Sequence, residues 1–112
     1  MKPQSAKAKG RNLQKWVRDL LLENFPTLEP DDVRSTSMGC GGEDLQLSPA
    51  ARRLFGYSVE CKNVERLNVY DAYEQASANS GAHEPLLIMK KNRKKPLVVM
   101  DAEHFVELIK KL

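Results

Sequence analysis

The stretch GGEDLQLSPAARRLFGYSVECKN, residues 41–63, contains two short apolar segments that alternate as β-strands do. In the second segment Val59 and Cys61 point to one face, and Glu60 and Lys62 point to the other. Residues i and i+2 of a strand lie about 6–7 Å apart on one face. The stretch therefore predicts a strand whose acid and base share a surface while its apolar side chains enter the core.

The preceding segment places a second acid near this surface. Leu45 and Leu47 are expected in the core, which leaves Asp44 on the opposite face. If the two segments pair, Asp44 approaches Glu60, and carboxylates that close repel each other unless a cation lies between them. Oxygen ligands with open positions suit Mg²⁺ or Mn²⁺, and the main-chain carbonyl of Cys61 would add a third ligand.

Such a site predicts phosphodiester chemistry. A metal held there activates water and neutralises charge on a phosphate, and Lys62 beside it orients the water or stabilises the transition state. Each motif also has a simpler interpretation. An exposed Glu-x-Lys is usually a weak surface ion pair, and Asp44 after two glycines could shape a turn.

The length of 112 residues suits one domain, with residues 1–9 as a flexible basic tail and residues 10–112 as the folded unit. We expect the elements in the order helix, three strands with a small helical insert, helix, two strands, helix. The predicted elements are a helix over 10–24, strands within 33–38 and 43–48, a short helix over 48–55 with Ser48 as N-cap, a strand over 56–62, a helix over 68–80, strands over 85–89 and 96–100, and a last helix capped by Asp101. This order predicts an α/β fold with helices on a central mixed sheet.

Four further expectations concern a turn, two single side chains and the last helix. GCGG, residues 39–42, is expected to form a turn. Trp16 is expected in the core, and His104 is expected to have no catalytic partner. The buried face of the last helix is predicted to comprise Phe105, Leu108, Ile109 and Leu112.

Two segments carry a resemblance to a known family. Gly42-Glu43-Asp44-Leu45, followed by Val59-Glu60-Cys61-Lys62-Asn63, resembles the signature of the PD-(D/E)XK nuclease superfamily, and the element order is similar to its core. The resemblance runs from about residue 10 to residue 100 and is greatest to small virus-type nucleases and archaeal Holliday-junction resolvases. It implies a restriction-endonuclease-like fold in which Asp44 and Glu60 bind the metal and Lys62 assists hydrolysis.

The resemblance also directs attention to two glutamines. Several branches of the superfamily place a Gln on the helix after the Glu-x-Lys strand, and Gln75 occupies that helix here. Many members carry a Glu in the first helix that completes the metal site, where this chain has Gln14. An amide is a poorer ligand than a carboxylate, so Gln14 is a secondary candidate and one well-held metal is expected. Glu43 replaces the signature's proline, and strand alternation turns its side chain away from Asp44.

The charge distribution favours a nucleic-acid partner. The net charge is +3, but the basic residues cluster at the N-terminus and in KKNRKK, residues 90–95. The predicted DNA contacts are Arg11, Lys15, Lys90, Lys91, Arg93, Lys94 and Lys95. A solvated face with a solubilising turn is the alternative. Two cysteines, no signal peptide and no long apolar run predict a cytoplasmic protein without a membrane partner.

The sequence therefore predicts a Mg²⁺- or Mn²⁺-dependent endodeoxyribonuclease, with branched or junction DNA in phage, repair or recombination processes as a candidate substrate. Resolution of a junction would need two sites and hence a homodimer. Two alternatives stay open. One is a non-catalytic nucleic-acid-binding module of the same fold, and the other is a structural subunit of a phage or repair assembly.

Overall fold

A computed structural model describes residues 3–36 and 42–112 of the chain. The described residues form an α/β arrangement in which helices flank one mixed and one antiparallel sheet. The elements are α1 (Pro3–Asn24), a 3₁₀ turn (Pro30–Asp32), β1 (Val33–Ser35), β2 (Leu45–Leu47), α2 (Pro49–Leu54), β3 (Tyr57–Asn63), α3 (Val69–Ala78), β4 (Glu84–Lys90), β5 (Leu97–Val99) and α4 (Ala102–Lys110). The predicted element order is confirmed. The turn expected at residues 39–42 lies outside the described residues except for Gly42, whose φ of 89° suits glycine.

The helix α1 is longer than its periodicity predicts. It begins at Pro3, so residues 3–9 continue the helix where a flexible tail was expected. Alanine and lysine, which are frequent here, are good helix formers. The buried stripe consists of Leu13, Val17 and Leu21 as expected, but Trp16 is about half exposed and does not belong to the core.

The three-stranded sheet has the order β3-β4-β5, with β3 parallel to β4 and β4 antiparallel to β5. The strands β1 and β2 form a separate antiparallel pair. The N–H of Asp44, which immediately precedes β2, donates to the carbonyl of Val59 in β3 at 2.8 Å. The predicted mixed sheet is therefore present, and among the residues described the first two strands share its core but form no ladder with it.

Both faces of the sheet are covered at β3. Val59 and Cys61 pack into the main core, to which α1 contributes Leu13. The opposite face meets α3, where Ala72 and Ala76 are buried. Glu60 on this second face is consequently buried, although alternation alone leaves it exposed to solvent.

Local capping explains where the helices begin. The Ser48 hydroxyl accepts the N–H of Ala51 with Pro49 in the first turn of α2, and the Asp101 carboxylate accepts the N–H of His104 in α4. Both caps were predicted. Across the described parts of the chain, no helix has the length and apolar character needed to cross a membrane.

The buried face predicted for α4 is wrong. None of its residues, all described, is buried: Phe105 is 52% exposed, Ile109 is 51% exposed, and Leu112 just beyond the helix is 98% exposed. Periodicity correctly gives an amphipathic helix, but it carries no information about whether another element covers the apolar stripe.

His104 attaches α4 to the sheet, a structural role that agrees with the expectation of a histidine without a catalytic partner. Its Nε2 lies 2.6 Å from the Tyr57 hydroxyl, and its Nδ1 lies 3.7 Å from a Glu84 carboxylate oxygen. These two contacts hold the helix beside the first residues of β3 and β4.

Candidate active site

Asp44 is fixed at the free edge of β3 by three hydrogen bonds. Its N–H donates to Val59, its carbonyl accepts the N–H of Thr36 at 2.8 Å, and its carboxylate accepts the N–H of Cys61 at 2.6 Å. The Thr36 bond continues the β1–β2 pair, and the Val59 bond joins the residue before β2 to β3 without forming a ladder between them. The side-chain bond places the Asp44 carboxylate against β3 one residue beyond Glu60.

Glu60 lies beside Asp44 and is only 5% exposed. Asn79 Nδ2 donates to one of its carboxylate oxygens at 3.3 Å, and Lys62 Nζ lies 3.7 Å from the other. The structure thus brings together Asp44, Glu60 and Lys62, the three residues predicted from the signature.

Burial and mutual repulsion disfavour the ionised forms of the two acids. Burial raises the pKa of the Asp44 carboxyl, although the Cys61 N–H, Lys62 and Gln14 partly oppose this effect. Burial likewise raises the pKa of Glu60, the charge of Asp44 raises it further, and Asn79 and Lys62 oppose the rise. A positive charge between the carboxylates would reverse both effects.

Gln14 reaches the site from α1, as predicted for the secondary candidate. It is 4% exposed, and its Oε1 accepts the hydroxyl hydrogen of Ser35. The Gln14 side chain also favours the ionised form of Asp44 and so lowers the pKa of that carboxyl. Its amide oxygen is engaged by Ser35.

The oxygen atoms at this site fit a small divalent cation with few protein ligands. Asp44 and Glu60 supply two carboxylates, and Mg²⁺ commonly binds one or two carboxylates while it retains several waters. Within 3–36 and 42–112, no group of three or more His, Cys, Asp or Glu side chains is arranged to hold a metal. At Cys61 the backbone group that contacts Asp44 is the N–H, and the predicted role of its carbonyl stays a prediction.

The supporting residue on α3 differs from the one expected. Gln75 is exposed, whereas Asn79, one helical turn later, contacts Glu60. Asn79 is the C-cap of α3, and an asparagine at a helix end carries no signature of a functional site. Its sequence context therefore gave no signal for a site residue, and only the packing of α3 across the sheet reveals its role.

Glu43 does not join the acids. Its carboxylate pairs with Arg52 of α2, and its carbonyl accepts the Thr36 hydroxyl at 2.7 Å. The expectation that strand alternation turns Glu43 away from Asp44 is confirmed.

The basic residues fall into two groups. Glu65 accepts the N–H of Asn92 at 2.7 Å and lies 3.5 Å from Lys9 Nζ, so the start of α1 meets the loop after β4. We call Lys9, Lys90, Lys91, Lys94 and Lys95 the basic patch. Asn63, directly after Lys62, donates to the Lys9 carbonyl at 3.1 Å, which connects the patch to the end of β3.

The other predicted DNA contacts are more dispersed. Arg11 and Arg93 are exposed, and Arg93 has a φ of 63° in the hairpin loop. Lys15 lines a groove with Arg34 and Ser35, on the side from which Ser35 reaches Gln14. The structure therefore places cationic side chains on two approaches to the site.

Comparisons with protein-family models, with curated proteins and with solved structures each found no match. The functional interpretation accordingly depends on the residues of the site and on their geometry.

Proposed function

We propose that this protein is a divalent-metal-dependent nuclease that hydrolyses phosphodiester bonds in DNA, built on a restriction-endonuclease-like core. One observation carries the proposal: Asp44 and Glu60, from separate chain segments, hold adjacent desolvated carboxylates with Lys62 Nζ 3.7 Å from Glu60. Glu60 is buried and Asp44 is partly buried, and two carboxylates this close repel each other unless a cation lies between them.

Asp44 and Glu60 would hold Mg²⁺ or Mn²⁺. Such an ion supplies Lewis-acid chemistry, which neutralises charge on a phosphodiester and makes water more acidic. The protein's own contribution is to keep both carboxylates in place. Cys61 N–H and Gln14 orient Asp44, and Asn79 orients Glu60.

Lys62 has the freedom to act on a substrate. Its side chain is partly exposed while the Glu60 side chain is buried, so the ammonium lies where the site opens to solvent. There it can orient the attacking water or stabilise the negative charge that develops on the phosphate oxygens. The basic patch beyond the end of β3 supports the choice of a polyanionic substrate.

Cleavage assays test the proposal. Duplex, single-stranded and branched DNA should be incubated with Mg²⁺, Mn²⁺ or EDTA, with wild type and with Lys62→Ala. We expect cleavage that needs the metal and falls about 10²–10⁴-fold in Lys62→Ala. Activity that survives both EDTA and the loss of Lys62 would refute the mechanism.

Gln14 gives specific support to one alternative, a non-catalytic nucleic-acid-binding module. It supplies an amide where resembling nucleases often carry a metal-binding carboxylate, and its oxygen is occupied by Ser35. Tight DNA binding without cleavage at any metal concentration would favour this alternative.

A further inference from the structure

A pocket of about 330 Å³ lies beyond the ends of β3 and β4. Its apolar part is formed by Val64, Leu67, Met89 and Leu97. Four lysines of the basic patch and one acid complete its wall: Lys90, Lys91, Lys94, Lys95 and Glu65. The pocket therefore combines an aliphatic surface with a concentration of positive charge.

The strand register places this pocket next to the proposed active site. Met89 is the partner of Lys62 across β3 and β4, and Leu97 is the partner of Met89 across β4 and β5. Paired residues of neighbouring strands point to the same face of a sheet and lie about 4.8 Å apart. Met89 and Leu97 consequently continue the surface that carries Lys62, one and two strands away.

The aliphatic surface is open to solvent. Leu97, the first residue of β5, is 55% exposed, and Val64, directly after β3, is 40% exposed. A ligand that matches this pocket has an apolar face and negative charge beside it. A nucleotide has both, because every base has an apolar π-face and is joined to a phosphate.

Base pairing decides which nucleotides can enter. In a fully paired duplex the faces of the bases are covered by their stacked neighbours, whereas an unpaired base can be displaced from the stack at a smaller cost. We infer that the pocket takes an unpaired nucleobase of the DNA strand whose phosphates contact the basic patch. This inference rests on the proposed function and names its substrate class: DNA with unpaired nucleotides, such as single strands, flaps or branch points.

Equilibrium binding in EDTA tests this inference separately from cleavage. Fluorescence anisotropy would compare a fully paired duplex with the same duplex carrying a short single-stranded flap. We expect the flap substrate to bind about tenfold more tightly. The variant Leu97→Ser should remove most of this preference and leave duplex affinity unchanged. The matched control Val106→Ser, at a 56% exposed position on α4, should retain the preference.

Two competitors distinguish a base site from a phosphate site. A deoxynucleoside monophosphate should displace the flap substrate at lower concentration than inorganic phosphate does. Equal affinity for paired and flap DNA, an unchanged preference in a folded Leu97→Ser variant, or equal competition by phosphate would each overturn the inference. Because none of these measurements requires turnover, failure of the nuclease proposal would appear separately, as an absence of cleavage.

Discussion

The carboxylate of Asp44 lies 2.6 Å from the backbone nitrogen of Cys61, so a proposed metal ligand also completes the hydrogen bonding of β3. At this position the Asp44 side chain accepts the Cys61 N–H, which in a longer sheet would donate to a neighbouring strand. Asp44 therefore has a structural role and a proposed chemical role, and substitutions can separate the two.

Replacing Asp44 by Asn should abolish cleavage but preserve the fold, because the amide oxygen can still accept the Cys61 N–H. Replacing it by Ala should abolish cleavage and also leave that N–H unpaired, at a cost of about 1–3 kcal/mol. Urea denaturation in EDTA measures the difference. Equal stability of the two variants would show that the 2.6 Å hydrogen bond contributes little.

The raised pKa values of Asp44 and Glu60 predict how stability depends on pH. A carboxyl whose pKa is higher in the folded state contributes most below its unfolded pKa, and this contribution is lost as the pH rises through the folded value. We expect metal-free Glu60→Gln to be more stable than wild type at neutral pH. The advantage should shrink as the pH falls toward about 4.

Unfolding of both proteins between neutral pH and pH 4 provides the measurement. The pKa values of Asp32 and Glu65 are lowered by hydrogen bonds and act in the opposite direction, but they are common to both proteins and cancel in the difference. Added Mn²⁺ should stabilise wild type much more than Glu60→Gln. A stability difference between the two proteins that does not change with pH would contradict the raised pKa of Glu60.

The contact between Asn79 and Glu60 predicts that Asn79→Ala lowers cleavage about 10–100-fold, the usual effect of removing a group that orients a metal ligand. Gln75→Ala is the matched control, one turn earlier on the same helix and exposed. Titration of the cleavage rate with metal should give a higher half-saturating metal concentration for Asn79→Ala than for wild type. A larger loss of cleavage in Gln75→Ala than in Asn79→Ala would support Gln75 as the supporting residue, as the sequence predicts.

Gln14→Glu would place a third carboxylate in a buried position beside Asp44 and remove an amide that lowers the pKa of Asp44. In EDTA this variant should lose about 1–3 kcal/mol of unfolding free energy, and Mn²⁺ should restore more stability than it adds to wild type. Gln14→Met, which removes the hydrogen bonds without adding charge, controls for the lost amide. Equal Mn²⁺ responses in the two variants would exclude Gln14 from the metal environment.

The basic patch predicts salt-dependent DNA binding. Loss of Lys94 and Lys95 to alanine should reduce the slope of log K against log salt concentration by about 0.9 for each lost phosphate contact. The paired substitution of Lys110 and Lys111, at the end of α4, is the control with the same change in charge. Equal slopes for the two double variants would show that the basic patch does not contact the DNA phosphates.

Local patterns were sufficient for much of the fold. The caps at Ser48 and Asp101, and the inward direction of Val59 and Cys61, depend on neighbours within a few residues, so the sequence contains their causes. Asp44 lies beside Glu60 because it hydrogen-bonds to Val59 and Cys61, in a segment that follows it closely in the chain. These relations are local in the chain, and the structure confirms them.

Relations between distant segments could not be predicted in this way. Asn79 reaches Glu60 only because α3 crosses β3 and β4, and its place at a helix end gives no sign of this contact in the sequence. The exposure of Phe105 depends on what does or does not pack against α4. The meeting of Lys9 with Asn92 at Glu65 joins residues that lie more than half the chain apart.

The side chain of Cys61 makes opening of the site measurable by chemical labelling. Its thiol is buried on the face that packs against α1, and its pKa is raised far above the usual range by burial and by the charges of Asp44 and Glu60. The thiolate is the reactive form, so the closed protein should react very slowly with thiol reagents. In a Cys40→Ser background, the labelling rate of Cys61 reports how often this edge of the sheet separates from its surroundings.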